Sequence, residues 1–277
     1  MYLAHFGFEQ FPFGLTPDTE FIVASSGHVE GLNLLHMALD NGEGFIKIVG
    51  EIGTGKTLLC RRFLSELSPE WKAAYVPNPQ MEAREFLLDI ADDLGSEEGK
   101  PEAPHVIKRL NRRLLELASQ DIKVVLCIDE AQTMPRITLE SLRLLSNLET
   151  EKRKLIHIVL FGQPELDEML DAHSARQLKQ RISFHHVLKP LNREETSAYV
   201  AHRLQKAGQR GDNLFPAAAL KVLYRHTEGT PRLINILGHK SLMLAFGEGA
   251  TQVLARHVKV AAKDTESAVR PKSWWPW

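Results

Sequence analysis

Apolar residues recur along the chain in two rhythms, and the place where one gives way to the other divides it. From His28 to Asp40, Val29, Leu32, Leu35 and Leu39 fall on one face of a helix. "FIKIV" (45–49) is short, β-rich and bounded by glycines, so it predicts a strand, and "KTLLCRRFLSEL" (56–67) predicts the helix after it. "AAYVPNP" predicts a second strand, stopped by Pro77 and Pro79. Phe86, Leu87, Ile90, Ala91 and Leu94 line a helix that ends at Gly95; a polar loop (96–104) and an amphipathic helix (about 105–119) follow. "KVVLCI" (123–128) carries a continuous apolar run after Lys123, as expected of a strand covered on both faces. Leu139, Leu142, Leu145 and Leu148 mark a further helix, and "LIHIVLF" (155–161) and "FHHVLKP" (184–190) complete five strands.

Strands alternating with helices imply a parallel sheet between two helical layers. After Pro190 only helical patterns remain, the first opened by Asn192 and Glu195 as a capping box. The expected organisation is therefore an irregular lead-in of the α/β domain (1–27), the α/β domain itself (28–190), a small all-helical domain (191–264) and a Trp-rich tail (265–277).

Composition narrows the class. The chain has 277 residues and a formal net charge of -1, so no bulk electrostatic attraction draws it to nucleic acid or an anionic membrane. The basic run "KRLNRR" (108–113) reads as a solvated helix face. Its two cysteines, Cys60 and Cys127, lie in apolar segments and read as buried hydrophobes, which suits a reducing compartment. The N-terminus lacks the pattern of a signal peptide, and no apolar run approaches the ~20 residues needed to span a bilayer. The expectation is a cytoplasmic protein, with peripheral attachment at the inner membrane left open. His185 and His186 are adjacent on a predicted strand and face opposite ways, so they do not chelate one metal together.

The chemistry begins at "GEIGTGKT", which satisfies G-x-x-x-x-G-K-[ST] between a predicted strand and a predicted helix. In such a loop Gly50, Gly53 and Gly55 permit the turns that aim backbone N–H groups at phosphates. The cradle extends from Gly50 through Glu51, Ile52 and Thr54 to Leu58, at the N-terminus of the helix. Lys56 is expected to reach the β- and γ-phosphates of ATP, and Thr57 to ligate Mg²⁺. About 70 residues on, "VVLCIDEAQ" ends a buried strand in Asp129, a second Mg²⁺ partner, and Glu130, placed to polarise the attacking water.

These motifs with a helical second domain resemble the AAA+ ATPases. The resemblance implies sheet order 5-1-4-3-2, which would bring the end of strand 155–161 beside the cradle. Gln163 of "FGQPEL" then takes the sensor-1 role, and Arg232 of "EGTPRLINIL" the sensor-2 role on a helix opened by Pro231. It also implies an arginine finger acting on a neighbouring subunit, for which Arg181 is the better placed and Arg176 the alternative. A homo-oligomeric ring, a hexamer, in the ATP state follows from that. No Asn-Lys-x-Asp that would read guanine follows the fourth strand.

The lead-in "MYLAHFGFEQFPFGLTPDTEFIVASSGHVEGLNLLHMALDNGEGFIKIVGEIGTGKT", together with "DEAQ", "GQPEL", "LKPL", "REET" and "GTPRLIN", resembles the general-secretion-pathway A-type ATPases. Within them it is most similar to the mannose-sensitive haemagglutinin pilus branch. The resemblance covers about residues 1–265 and implies an ATP hydrolase serving a type II secretion or type IV pilus assembly machine, with envelope or pilus assembly proteins as partners. Larger members carry a membrane span and a peptidoglycan-binding region after the ATPase; neither is expected here. Two other readings stand beside this one: a DNA-binding ATPase of the transposition-regulator type, disfavoured by the charge balance, and a nucleotide-gated scaffold with little turnover, disfavoured by Glu130. The tail "SWWPW" (Ser273–Trp277) is expected to dock to a partner or to the inner membrane.

Overall fold

The computed structural model describes residues 2–14, 25–96, 103–149, 153–209 and 213–270. The Trp-rich end at 273–277, and with it the docking expectation, lies outside them. The chain forms two compact units. One comprises Ser26–Ile52 and Lys56–Leu188; the other comprises Met1–Ser25, Gly53–Gly55 and Lys189–Trp277.

The first unit is a five-stranded parallel sheet of β1 (Phe45–Gly50), β2 (Trp71–Val76), β3 (Lys123–Ile128), β4 (His157–Gly162) and β5 (Phe184–Leu188). The strands lie in the order β2-β3-β4-β1-β5, the expected order read from the other edge. Register is set by pairs such as Ile46 with Val159, Ile46 with Phe184 and Leu126 with Ile158. Alternate residues of each strand face opposite ways. Phe45, Val49, Leu126, Ile128, Ile158 and Leu160 share one core with α4 (Ala83–Asp93), α5 (Ala103–Ser119), α6 (Arg136–Leu145) and α7 (Glu165–Asp171). Ile46, Ile48, Val125, Cys127, Val159 and Phe161 share another with α2 (Ser26–Asp40) and α3 (Lys56–Ser65). Both faces are thus covered, which is why β3 and β4 carry long apolar runs. Cys60 and Cys127 are buried and free of disulfide, as their surroundings suggested.

The basic run of α5 is only partly a solvated face. Arg113 Nε donates to the Leu94 carbonyl at 3.0 Å, and Arg109 donates to Ser96, so two of its cations satisfy carbonyls at the C-terminal end of α4. On β5, His185 is exposed while a ring nitrogen of His186 lies 2.9 Å from the Gly27 carbonyl, in keeping with opposite faces.

The second unit contains α1 (Tyr2–Phe6), α9 (Arg193–Lys206), α10 (Ala217–Thr227), α11 (Pro231–Gly247) and α12 (Ala255–Lys263). The short α8 (Arg176–Lys179) precedes β5 in the first unit. The capping box forms as expected, Asn192 Oδ1 accepting from Glu195 N–H at 2.8 Å and Glu195 accepting from Asn192 N–H at 2.9 Å. Helix α12 starts after Leu254, whose N–H is accepted by His257 Nδ1 at 3.0 Å.

The lead-in departs from expectation. Its residues 2–14 contain a helix and belong with the helical unit, while Ser26 and Gly27 open α2 of the α/β unit. The reason is apolar burial: Tyr2, Phe8 and Phe13 enter the core of α9 to α12, each such burial contributing about 1.5–3 kcal/mol. Burial pushes the Tyr2 phenol up to about 12, so it keeps its proton, and its Oη lies 2.9 Å from His239 Nδ1. Arg203, itself buried, donates to the Pro12 carbonyl at 2.6 Å and to Tyr199 Oη at 2.7 Å, and that hydroxyl donates to Asn235 Oδ1 at 3.0 Å.

A glycine decides how α10 passes to α11. Gly229 has φ +76°, and a Cβ there would lie 1.8 Å from the Leu191 carbonyl oxygen. Gly229→Ala is expected to destabilise the helical unit by ~2–5 kcal/mol through strain and overpacking. A urea midpoint equal to wild type would refute this. Among the described residues, no helix is long and apolar enough to cross a membrane.

Candidate active site

The C-terminal ends of β3, β4 and β1 lie side by side, the usual place for ligand-binding groups in an open parallel sheet. Asp129 and Glu130 follow β3, Gln163 follows β4, and Lys56 and Thr57 open α3 after the loop that follows β1. Lys56 opens α3, is buried at 5 % exposure, and donates from Nζ to the Gly50 and Glu51 carbonyls at 2.6 and 3.0 Å. Burial lowers its pKa; the carboxylates of Glu130, Asp129, Glu51 and Glu165 act in the opposite direction.

Thr57 and Asp129 meet directly. Thr57 Oγ1 donates to Asp129 Oδ2 at 2.5 Å, and the other carboxylate oxygen of Asp129 accepts the Glu130 N–H at 3.0 Å. Asp129 is 2 % exposed, and burial raises its pKa, opposed by the Thr57 hydroxyl and the Glu130 N–H. A hydroxyl and a carboxylate side by side are hard oxygen donors. They fit Mg²⁺, which takes one or two protein oxygens when phosphates and waters supply the rest. No group of three or more His, Cys, Asp and Glu that could hold a metal occurs among the described residues, so a cage built from protein alone is not offered there.

Glu130 adopts φ 50°, ψ 37°, a left-handed conformation costly for a residue with a Cβ and often found at functional sites. Its Oε2 accepts from Gln163 Nε2 at 3.1 Å, so the structure brings the expected sensor residue to the expected base. Gln132 joins the same group, donating to Glu130 Oε2 at 2.6 Å. Sequence reasoning did not single it out. The available signal was its position, two residues after the glutamate in "DEAQ".

The loop residues Gly53, Thr54 and Gly55 belong with the helical unit. Gly53 has φ +80° and Gly55 φ +100°. The Arg232 N–H donates to the Gly53 carbonyl at 3.2 Å, and a Cβ on Gly53 would lie 2.6 Å from that of Arg232, so only glycine fits. The remaining loop residues differ in exposure: Glu51 and Ile52 are exposed, Leu58 is half-buried and Gly50 is buried.

Arg181 precedes β5, at the opposite end of the parallel sheet from the end of β1 that leads to the loop. Its Nη1 donates to the Ser146 carbonyl at 2.8 Å and to Ser146 Oγ at 3.1 Å. Arg176 is exposed on α8. Neither belongs to the cluster around Asp129.

The five-stranded parallel sheet and the glycine loop with its strand-end carboxylates define a P-loop fold of the AAA type, and residues 39–170 match the family model for the AAA domain. The chain is 38% identical, over 277 residues, to general secretion pathway protein A of Aeromonas hydrophila. That alignment takes in 99% of this chain and spans 50% of the relative's length, so about half of that protein has no counterpart here. Among solved structures it is similar to the ORC2 protein of Aeropyrum pernix (18% identity, TM-score 0.66, 90% of this chain and 69% of that one). Cdc6p of Pyrobaculum aerophilum gives 17% identity and TM-score 0.68 over 95% of this chain and 70% of that one. At such identities these likenesses speak for the fold alone.

Proposed function

We propose that the chain is a Mg²⁺-dependent ATP hydrolase of the AAA+ type that serves assembly of a bacterial envelope secretion or type IV pilus machine. The observation that carries the hydrolase reading is the Thr57–Asp129 hydrogen bond beside Lys56, with Glu130 next in the chain. Residues 50–58 cradle the phosphates, with backbone N–H groups and the start of α3 supplying positive potential. Lys56 neutralises the outer phosphates. Thr57 and Asp129 hold Mg²⁺, which when bound offsets the negative charge of the phosphoryl group in transfer. Glu130 accepts a proton from the attacking water, and Gln163 holds both that carboxylate and the γ-phosphate side of the site. Arg232 takes the sensor-2 role that the sequence resemblance implies. The envelope role rests on the similarity to general secretion pathway protein A; the pilus branch and the pilus or secretion partners rest on sequence resemblance. Placement is cytoplasmic, at the inner membrane when engaged.

The test of the hydrolase reading is steady-state phosphate release by the purified chain with Mg²⁺ and with a chelator in excess. Turnover that requires Mg²⁺ and is indifferent to DNA is expected. Absence of turnover would leave the scaffold reading, and strong stimulation by DNA the transposition-type reading.

The oligomeric reading is tested separately. Because Arg181 lies at the far end of its own sheet, it suits action on a neighbouring subunit, and the specific rate is expected to rise with protein concentration. Arg181→Ala is expected to bind ATP but lose ~10³-fold or more in turnover. Mixing it with Lys56→Ala restores part of the rate, since each supplies what the other lacks. If Arg181→Ala keeps its rate while Arg176→Ala loses it, the finger is Arg176. Rates independent of concentration for every form would indicate a monomeric enzyme.

A further inference from the structure

The loops after β3 and β4 are joined by one side chain. Gln132 Nε2 donates to Glu130 Oε2 at 2.6 Å, and Gln132 Oε1 accepts the backbone N–H of Gln163 at 3.0 Å. The orientation of the amide is therefore determined: only its carbonyl can face the Gln163 N–H, which leaves its NH₂ for the glutamate. The room for this bridge comes from Gly162. A Cβ there would lie 3.3 Å from Gln132 Oε1 and 2.6 Å from Leu166 Cδ2, so any side chain would press on the amide and on α7. With Gln163 Nε2 on the same Oε2 at 3.1 Å, one carboxylate oxygen carries two donors. Among the described residues, no donor is placed on Oε1.

We propose that Gln132 is a positioning residue for Glu130, fixing one carboxylate oxygen so that the other is presented to water, and tying that pose to the backbone of the Gln163 loop. This rests on the ATP hydrolase reading. A glutamate on a left-handed residue has three side-chain torsions, and two amide donors converging on one oxygen hold it in one orientation before nucleotide arrives. The same bridge makes the catalytic carboxylate and the sensor loop move together, because displacing Gln163 withdraws the acceptor that orients Gln132.

Two variants and three readouts test it. In Gln132→Ala, kcat should fall roughly 10–100-fold, the loss of a hydrogen bond to a charged group. Affinity for a fluorescent ATP analogue should stay within about twofold, because no phosphate contact is removed. Amide hydrogen exchange at Gln163 should speed up about tenfold in the nucleotide-free protein, having lost its side-chain acceptor. Gln132→Glu matches the native shape and still accepts from the Gln163 N–H, so exchange there should stay slow. Its charge opposes Glu130, and kcat should fall at least as far as in the alanine variant. A merely structural glutamine would give another pattern, with Gln132→Glu both protected and active. Wild-type turnover by either variant, or unchanged Gln163 exchange in Gln132→Ala, overturns the proposal. A wild-type protein without Mg²⁺-dependent hydrolysis overturns the hydrolase reading instead; hydrolysis by wild type with an equally fast Gln132→Glu overturns only the positioning role.

Discussion

Lys56→Ala is expected to lose both tight nucleotide binding and turnover, by at least two to three orders of magnitude in kcat/KM, or about 3–4 kcal/mol. The size follows from where the ammonium sits. It is buried, its stem fixed by carbonyls of its own loop, and surrounded by the carboxylates of Glu130, Asp129, Glu51 and Glu165. In such surroundings a charge acts on phosphate oxygens with little screening from water, and its removal leaves several negative groups facing a polyanion. Isothermal titration with ATP and Mg²⁺ measures the loss of affinity directly. An alanine variant that binds and hydrolyses ATP normally would mean that the loop is not the nucleotide site.

Glu130→Gln should separate binding from chemistry. The amide keeps the shape of the carboxylate and leaves Thr57 and Asp129 in contact, so ATP and Mg²⁺ affinity should remain within a few-fold of wild type, about 1 kcal/mol or less. Turnover should drop by about 10²–10⁴-fold, the usual contribution of a positioned base. Held in the ATP state, the variant should accumulate as the assembled form, visible by light scattering after size exclusion. It is also the form in which to seek envelope partners, since its complexes would not be released by hydrolysis. Normal hydrolysis by Glu130→Gln would assign the base elsewhere.

Much of the fold was legible because burial imposes a rhythm that residue types reveal. β3 was found to the residue, since its five buried apolar residues after Lys123 run without a polar break to Asp129. β2 begins at Trp71, earlier than expected, because Lys72 lies on an edge strand where a polar side chain reaches water. The seven-residue α7 and the four-residue α8 were not anticipated; each is too short to show a helical period. In the site, Lys56, Thr57, Asp129 and Glu130 were readable because the loop and the strand end tie their chemistry to fixed spacing. Gln132 was not, because its role depends on Gln163, which lies far along the chain and meets it only when β3 and β4 pair. The lead-in was misplaced for a similar reason: nothing in its order says which core its aromatic residues will enter.

That placement also governs the order in which the molecule can be made. Ser26 to Leu188 contains nearly all of the α/β unit as one run of chain, so that unit can close while the ribosome is still at work. The helical unit cannot, because some of its residues precede the α/β unit in the chain and their partners follow it. The Pro12 carbonyl waits for an arginine 191 residues later, and the Tyr2 hydroxyl for a histidine 237 residues later. At ~5–20 residues per second this leaves Tyr2, Phe8 and Phe13 without their core for roughly 10–50 s. During that interval the N-terminal segment is an aromatic stretch in search of cover, the kind of sequence that chaperones hold and that aggregates when they do not. A chain that stops after β5 would never supply the cover, and its nascent N-terminus would remain in that state permanently.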